Sequence, residues 1–397
     1  MPKRMLLASA AVVALATGLI VSPTRANDGN AECENLDDPS TSGWTSHAEL
    51  GRQLAQIETT SSGRVDVSVI GESALGREIW AARVGTGDRV MLITSEIHGN
   101  EKTGTEALLA LLRTLASSET AQAQTIRANL TIVAVPKFNP DGGELNRRQN
   151  AFTWDEVMQT FPQLQGTSPP FYYSNGLGGF DLNRDFNADL DFEPQPEDIP
   201  TDEVEPGLYV TNEARALRHL YVDLRSEFGT VDAYVDLHHM GSCSQQNDTD
   251  KYATVALDFP PLGSEIDGNP RYDDWPLLDQ DKSRRYALAA ALGIREFAIG
   301  EPSPFFGGVT RYTHQQIADG YSFDRDFAGQ ARSAFALNGT GTVLFEVRGQ
   351  SDDWGQKQKG QLVKAVQAGV TGLAIRLADG SADNLNGDDF YDLPKYW

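Results

Sequence analysis

The chain has 397 residues, 40% hydrophobic and 22% charged, enough to bury the core of one large α/β domain or two medium ones. Asp and Glu number 56 against 33 Lys and Arg, and the formal net charge of −23 argues against a general binder of nucleic-acid phosphates, which needs a basic face. Gly (37) and Pro (19) are near ordinary usage, which excludes collagen-like and low-complexity classes, and no internal apolar run reaches the ~18 residues of a membrane span.

In chain order, the first segment reads as a targeting signal. Lys3 and Arg4 form a basic start, Met5 to Val21 is apolar, and Thr24-Arg25-Ala26 is a small-x-small cut site. Residues 1–26 are therefore expected to be removed, leaving a secreted protein, extracellular or periplasmic, with no stable membrane association. Residues 27–43 are polar and read as a flexible tail. The two cysteines, Cys33 and Cys243, exclude a CxxC metal knuckle. In an oxidising compartment they are expected either as one disulfide or as two free thiols, and the count leaves both open.

Residues 44–397 read as one catalytic-size domain. Trp44–Glu58 has helical spacing through Leu50, Leu54 and Ile57. Val65–Ile70, Ile79–Val84, Arg89–Glu96 and Leu130–Pro136 have the alternation or apolar runs of strands. Thr103–Ala116 places Ala107, Leu108, Leu111, Leu112 and Leu115 on one helical face. Residues 150–180 and 187–210, rich in Pro, Gly and acids, read as long surface loops of the kind that shape a site. A helix over Glu213–Phe228, a strand over Val231–Leu237, a helix over Ser283–Ile294, a strand over Thr342–Val347 and a closing helix over Gln361–Ala378 complete the pattern. Strands alternating with helices predict a single α/β domain with a twisted, mostly parallel or mixed sheet of about eight strands and helices on both faces.

Chemistry-bearing residues fall at the ends of these strands. His98-Gly99-Asn100-Glu101 follows the strand 89–96 and opens the helix 103–116. His and Glu three apart on such a turn can reach one metal ion. His238-His239 ends the strand 231–237 and supplies a third ligand on the same sheet edge, where open α/β sheets form their sites. Two His and one Glu, with one position left for water, suit a catalytic zinc ion. No HExxH occurs, which excludes the single-helix zinc proteases.

Five motifs then stand in order: His98-Gly99-Asn100-Glu101, Asn139-Pro140-Asp141-Gly142, Asp181-Leu182-Asn183-Arg184-Asp185-Phe186, Asp236-Leu237-His238 and Phe345-Glu346-Val347-Arg348. In this order they resemble the zinc metallocarboxypeptidases of the carboxypeptidase A type, over roughly residues 44–380. The resemblance implies one zinc ion per chain held by His98, Glu101 and His238; His239, one residue along a strand, points to the other face. It implies that Glu346 is the catalytic base, taking a proton from the attacking water and passing it to the leaving amine. It makes Asn183 and Arg184 the pair that grips the substrate's terminal carboxylate, the guanidinium through two parallel hydrogen bonds. An arginine after the Asn139–Gly142 motif stabilises the oxyanion. The resemblance places Arg147 there, ahead of Arg148, which is assigned to substrate binding. Asp181 is the carboxylate that orients His98 through its other ring nitrogen.

The sequence departs from the family pattern at Asp185, where Asn is usual, and an extra negative charge there is expected to weaken carboxylate binding or to favour a cationic substrate. A mobile tyrosine expected before Glu346 has two candidates, Tyr312 and Tyr321, neither carried by a motif. The family-like region starts so soon after the expected cut that no pro-segment is expected. The implied function is a secreted carboxypeptidase acting on peptides and proteins with a free C-terminus, with no nucleic-acid partner. The alternatives are a peptidase or amidase of the same fold acting on cell-wall or γ-glutamyl-type peptides, and a non-catalytic peptide-binding member. The Asn183-Arg184 pair favours the first, and Glu346 with a full ligand set argues against the last.

Overall fold

The computed structural model describes residues 43–241, 253–259, 261, 272, 275–298, 308–312, 327–349 and 355–395. The targeting segment 1–26, the 27–43 tail up to residue 42, Cys33, Cys243 and Tyr321 lie outside the described residues.

Helix α1 (His47–Thr60) starts where Ser46 accepts a hydrogen bond from the Glu49 amide, which moves the helix start beyond Trp44. Strands β1 (Val65–Glu72), β2 (Glu78–Val84) and β3 (Arg89–Ser95) follow, then α2 (Thr103–Ser117), α3 (Ala121–Asn129) and β4 (Leu130–Val135). Two short helices, α4 (Pro140–Leu145) and α5 (Trp154–Thr160), and a small pair of strands, β5 (Tyr173–Ser174) and β6 (Gly179–Phe180), lead to α6 (Asn212–Phe228). The remaining described elements are β7 (Ala233–Met240), β8 (Val255–Asp258), α7 (Gln280–Ala298), β9 (Val309–Arg311), α8 (Ala331–Leu337), β10 (Gly341–Arg348) and α9 (Gly355–Ala378).

Eight strands form one mixed sheet in the order β1-β2-β4-β3-β7-β10-β8-β9, matching the expected strand number. Its centre, β4-β3-β7-β10, is parallel, while β1, β2 and the β10–β8 pairing are antiparallel. The central strands are apolar on both faces because both faces are covered. Met91, Ile93, Val235, Leu237, Val343 and Phe345 pack with α1, α2, α7 and α9 in one cluster. Val90, Leu92 and Tyr234 pack on the opposite face with Leu217 and Tyr221 of α6 and Phe335 of α8.

This alternation sets the site. In β7, Asp236 and His238 share a face with Tyr234, while His239 shares the other with Val235 and Leu237. In β10, Glu346 falls between Phe345 and Val347, which both face the first cluster, so it turns the opposite way. Because β7 and β10 are parallel and in register, Glu346 lies directly beside His238.

Three expectations change. Strand β7 runs to Met240, so His238 and His239 sit inside it rather than beyond its end. Segments 150–180 and 187–210 are not simple surface loops. Their aromatic residues Phe152, Trp154, Phe161, Tyr172 and Phe180 bury with Val157, Leu164, Leu208 and Val210 in a separate small core. The polar composition between these residues hid that core from a pattern reading. Strands β8 and β9 and helices α3, α4, α5 and α8 were not anticipated; most are too short to show a period.

Candidate metal centre and its cavity

The turn that carries His98 and Glu101 is fixed by the Asn139–Gly142 motif packed behind it. Asn139 caps α4 by accepting from the Gly142 amide at 2.8 Å, and its Nδ2 donates to the carbonyls of Ile97 and Arg148, both at 3.2 Å. One side chain thus ties together three segments that reach the site. A Cβ at Gly99 would overlap the Gly142–Gly143 peptide, so glycine is required for the two turns to meet. Lys102 Nζ donates to the carbonyls of Gly99 and Gly143 at 3.0 and 2.6 Å and locks the same contact. Behind it, Glu96 and Lys137 form a fully buried ion pair at 2.6 Å.

His98, Glu101 and His238 converge with one ligand atom each, all within 4.8 Å of one another. His98 Nδ1 lies 2.9 Å from Glu101 Oε1, His238 Nδ1 lies 3.0 Å from Glu101 Oε2, and the two Nδ1 atoms are 3.1 Å apart. The other ring nitrogens meet carboxylates: His98 Nε2 is 3.2 Å from Asp181 Oδ1, and His238 Nε2 is 2.8 Å from Asp236 Oδ2. Each imidazole is therefore held from behind with Nδ1 aimed at the cluster, the usual support of a metal-binding histidine.

The charges agree with a cation's place. Burial opposes ionisation of Glu101, yet His98 and His238 hold its carboxyl well below the ordinary range. Burial likewise disfavours charge on His238, but Asp236 and Glu101 push it up to about 10. Partial burial also opposes charge on Asp181, but Arg148 and His98 hold its carboxyl well below the ordinary range. Two imidazoles and a carboxylate pointing at one spot, backed by two more carboxylates, fit a divalent ion with nitrogen and oxygen ligands.

His239 takes no part in this cluster. Its ring lies on the other face of β7, where Nε2 accepts the Thr103 amide at 3.0 Å and so caps the first turn of α2. Burial lowers its pKa to about 4, which keeps the ring neutral and able to accept. Only its backbone touches the cluster, its amide donating to Glu101 Oε2 at 3.0 Å.

The cluster opens into a cavity of about 340 Å³ lined also by Arg148, Arg184, Tyr312, Phe327, Arg332 and Glu346. Burial raises the Glu346 carboxyl to about 7, against the pull of His238, Arg332 and Arg148. Arg148 donates from Nε to Asp181 Oδ2 at 2.9 Å, with Nη2 2.8 Å from the same oxygen, and places Nη1 3.1 Å from His98 Nδ1. Arg184 donates to the Asn183 carbonyl at 2.8 Å, lies 4.5 Å over the Phe327 ring, and has Glu203 3.8 Å away. Asn183 is buried; its Oδ1 accepts the Ala331 amide at 3.2 Å and its Nδ2 lies 3.3 Å from His238 Nε2.

Two expectations are corrected here. Arg147 does not face the cavity: it donates to the carbonyls of Gln149, Asn150, Leu177 and Gly178, clamping the β5–β6 hairpin, and Arg148 is the one that reaches the cluster. Adjacent residues on this turn point opposite ways, which the doublet could not reveal. Asp185 adds no charge to the cavity. Its carboxylate is fully buried beneath it and accepts from Tyr172, Val210 and both the amide and hydroxyl of Thr211. Sequence reasoning missed Asp236 as a support for His238, although the two share a strand face at a spacing of two residues. It also missed Arg332 and Gln330, which no sequence signal marks.

Residues 51–372 match the family model described as zinc carboxypeptidase (Peptidase_M14). Solved structures with a similar fold include bovine thrombin-activatable fibrinolysis inhibitor in complex with tick carboxypeptidase inhibitor, 14% identical, covering 86% of this chain and 98% of that one, with a TM-score of 0.53. Carboxypeptidase A from Helicoverpa armigera is 16% identical, covering 87% and 76% with a TM-score of 0.54. A metallo-carboxypeptidase from Burkholderia cenocepacia is 15% identical, covering 84% and 69% with a TM-score of 0.50. At these identities the likeness is one of fold. No match to the chain is found among curated protein sequences.

Proposed function

The chain belongs to the zinc carboxypeptidase family, and from that premise we propose that it is a secreted metallocarboxypeptidase that removes single residues from free peptide C-termini. His98, Glu101 and His238 would hold the ion. When bound, zinc supplies a Lewis acid that polarises the scissile carbonyl and lowers the pKa of a water molecule.

The chain's own residues do the rest. Arg184 and the Asn183 turn receive the terminal carboxylate, which sets the last peptide bond against the cluster and excludes internal bonds. Glu346 takes the proton of the attacking water on a carboxylate oxygen and delivers it to the leaving amine nitrogen as the C–N bond breaks. Arg148, anchored by Asp181, presents Nη1 toward the place where negative charge develops on the carbonyl oxygen. Asp181 and Asp236 keep the two imidazoles aimed during the cycle.

The observation that carries the reading is the register of β7 and β10. It sets the Glu346 carboxylate beside His238, so a carboxylate and a three-donor cluster open into one cavity that Arg184 also lines. Secretion rests on the basic, apolar and small-x-small pattern of residues 1–26, and an exported form beginning at Asn27 is expected from N-terminal sequencing. The activity is tested with a peptide library in which each member has a free and an amidated C-terminus, with Glu346→Gln as control. Stepwise loss of single residues from the free set alone is expected. Internal cleavage, or equal cleavage of the amidated set, would overturn the reading.

A further inference from the structure

One cation in the cavity is left over by the cleavage chemistry. Arg332, the second residue of α8, is 5% exposed and lines the cavity. Among the described residues it forms no hydrogen bond or ion pair, and its Nε is buried without a partner. The other two arginines differ. Arg148 is neutralised by Asp181 at 2.8 Å, and Arg184 has a carbonyl at 2.8 Å, an aromatic face and a distant glutamate. A guanidinium cannot shed its proton, so Arg332 stays charged in a place where an unpaired charge is costly.

Its position is not loose. Phe335, one turn on, stacks on Tyr221 of α6 at 4.0 Å and meets Tyr234 of β7 edge-on at 4.9 Å, which pins α8 to the sheet. The amide of Ala331 is tied to Asn183, so the Arg332 end of the helix is joined to the turn that carries Arg184. Gln330, 4% exposed, lines the same wall, and its amide oxygen has no partner. Turned over, that amide offers two N–H donors to the anion Arg332 would take.

Two carboxylates, Glu346 and Asp236, feel Arg332 through space, but neither forms an ion pair with it, and Asp236 is already held by His238. Arg332 also opposes the charge of Arg184, so the two guanidinia face one cavity and repel. A ligand with two anionic groups relieves both. The terminal residue of any peptide brings one, its α-carboxylate, and a second comes only with an acidic side chain. A neutral side chain would shut Arg332 away from water unpaired, and a basic one would be repelled.

We infer that Arg332 determines specificity for the residue removed, and that the preferred substrates are peptides ending in glutamate or aspartate. This rests on the carboxypeptidase reading above. Acyl-dipeptides that differ only in the last residue (Glu, Gln, Leu, Lys) test it through kcat/KM. Glu is expected to exceed its neutral isostere Gln by roughly ten- to a hundredfold, the worth of one charge-assisted hydrogen bond in a dry site. Arg332→Gln should bring that ratio close to unity while the Leu substrate changes by no more than about threefold. Arg332→Lys should keep the preference, and circular dichroism with zinc content checks that each variant is folded.

Calorimetric binding of N-acetylglutamate against N-acetylglutamine, to Glu346→Gln and to Glu346→Gln/Arg332→Gln, gives a readout apart from turnover. Cleavage of all four substrates with no Glu-over-Gln preference, or a preference that survives Arg332→Gln, would overturn the inference and leave the carboxypeptidase reading standing. No cleavage of any free C-terminus, with N-acetylglutamate still bound through Arg332, would sink the carboxypeptidase reading and keep the acidic subsite.

Discussion

Glu213 lies in the first turn of α6, whose N-cap Thr211 is hydrogen-bonded to Asp185. It is fully buried, accepts one hydrogen bond from Asn150 Nδ2 at 3.0 Å, and has its other oxygen unpartnered. Burial is the main reason its pKa rises from 4.5 to about 7, with Asp141 and Asp185 adding like charge. The folded state therefore binds this proton more tightly than the unfolded chain. The resulting stability is fully present below about pH 4.5 and is lost as pH rises through about 7. At about 1.4 kcal/mol per pH unit, the separation corresponds to roughly 3 kcal/mol by pH 8.5. Glu213→Gln mimics the protonated side chain at every pH, keeps an oxygen for Asn150 and fills the same volume. Wild type and variant should unfold at the same denaturant concentration at pH 4.5, and the variant should be more stable by roughly 2–3 kcal/mol at pH 8.5. Urea titrations of both proteins at several pH values, on metal-free samples, give the difference directly. A difference that does not change with pH, or one that favours wild type at pH 8.5, would refute the assignment of a buried, neutral glutamic acid.

The remaining predictions concern the site. Glu346→Gln should retain zinc and fold but lose roughly 10²–10⁴ in kcat, measured at saturating peptide; near-normal turnover would remove Glu346 from the proton transfers. His98→Ala should bind far less zinc in equilibrium dialysis, whereas His239→Ala should keep one zinc per chain and lose about 1 kcal/mol of stability, because the Thr103 amide loses its acceptor. Equal zinc loss in the two variants would contradict the face assignment of β7. Arg148→Ala should cost roughly 10²–10³ in kcat, while Arg147→Ala should lower the melting temperature with kcat kept, since its bonds hold the β5–β6 hairpin.

Much of this is legible in the sequence alone. The motif His98-Gly99-Asn100-Glu101 follows an apolar strand and opens an amphipathic helix, and Glu346 directly follows the apolar run Val343-Leu344-Phe345. Local residue types specify local elements through period and burial, so α2, β3, β7 and β10 could be placed within a few residues. The period of two also decides between His238 and His239, since neighbours on a strand face opposite ways. The family motifs carried the remaining assignments.

Other features depend on packing between residues far apart in the chain, and no local pattern encodes them. Arg147 and Arg148 are chemically identical neighbours; only the tertiary fold turns one toward loop carbonyls and the other toward Asp181. Asp185 reads in sequence as a charge at the substrate site, whereas in the fold Thr211 and the Tyr172 hydroxyl enclose its carboxylate. Arg332 sits in a seven-residue helix of unremarkable composition, 14 residues before Glu346 in sequence, and becomes part of the cavity only because Phe335 docks α8 against Tyr221 and Tyr234. Sequence determined which groups are available and which strand face each occupies. Tertiary packing decided which charges are left without a partner, because pairing is a property of three-dimensional proximity.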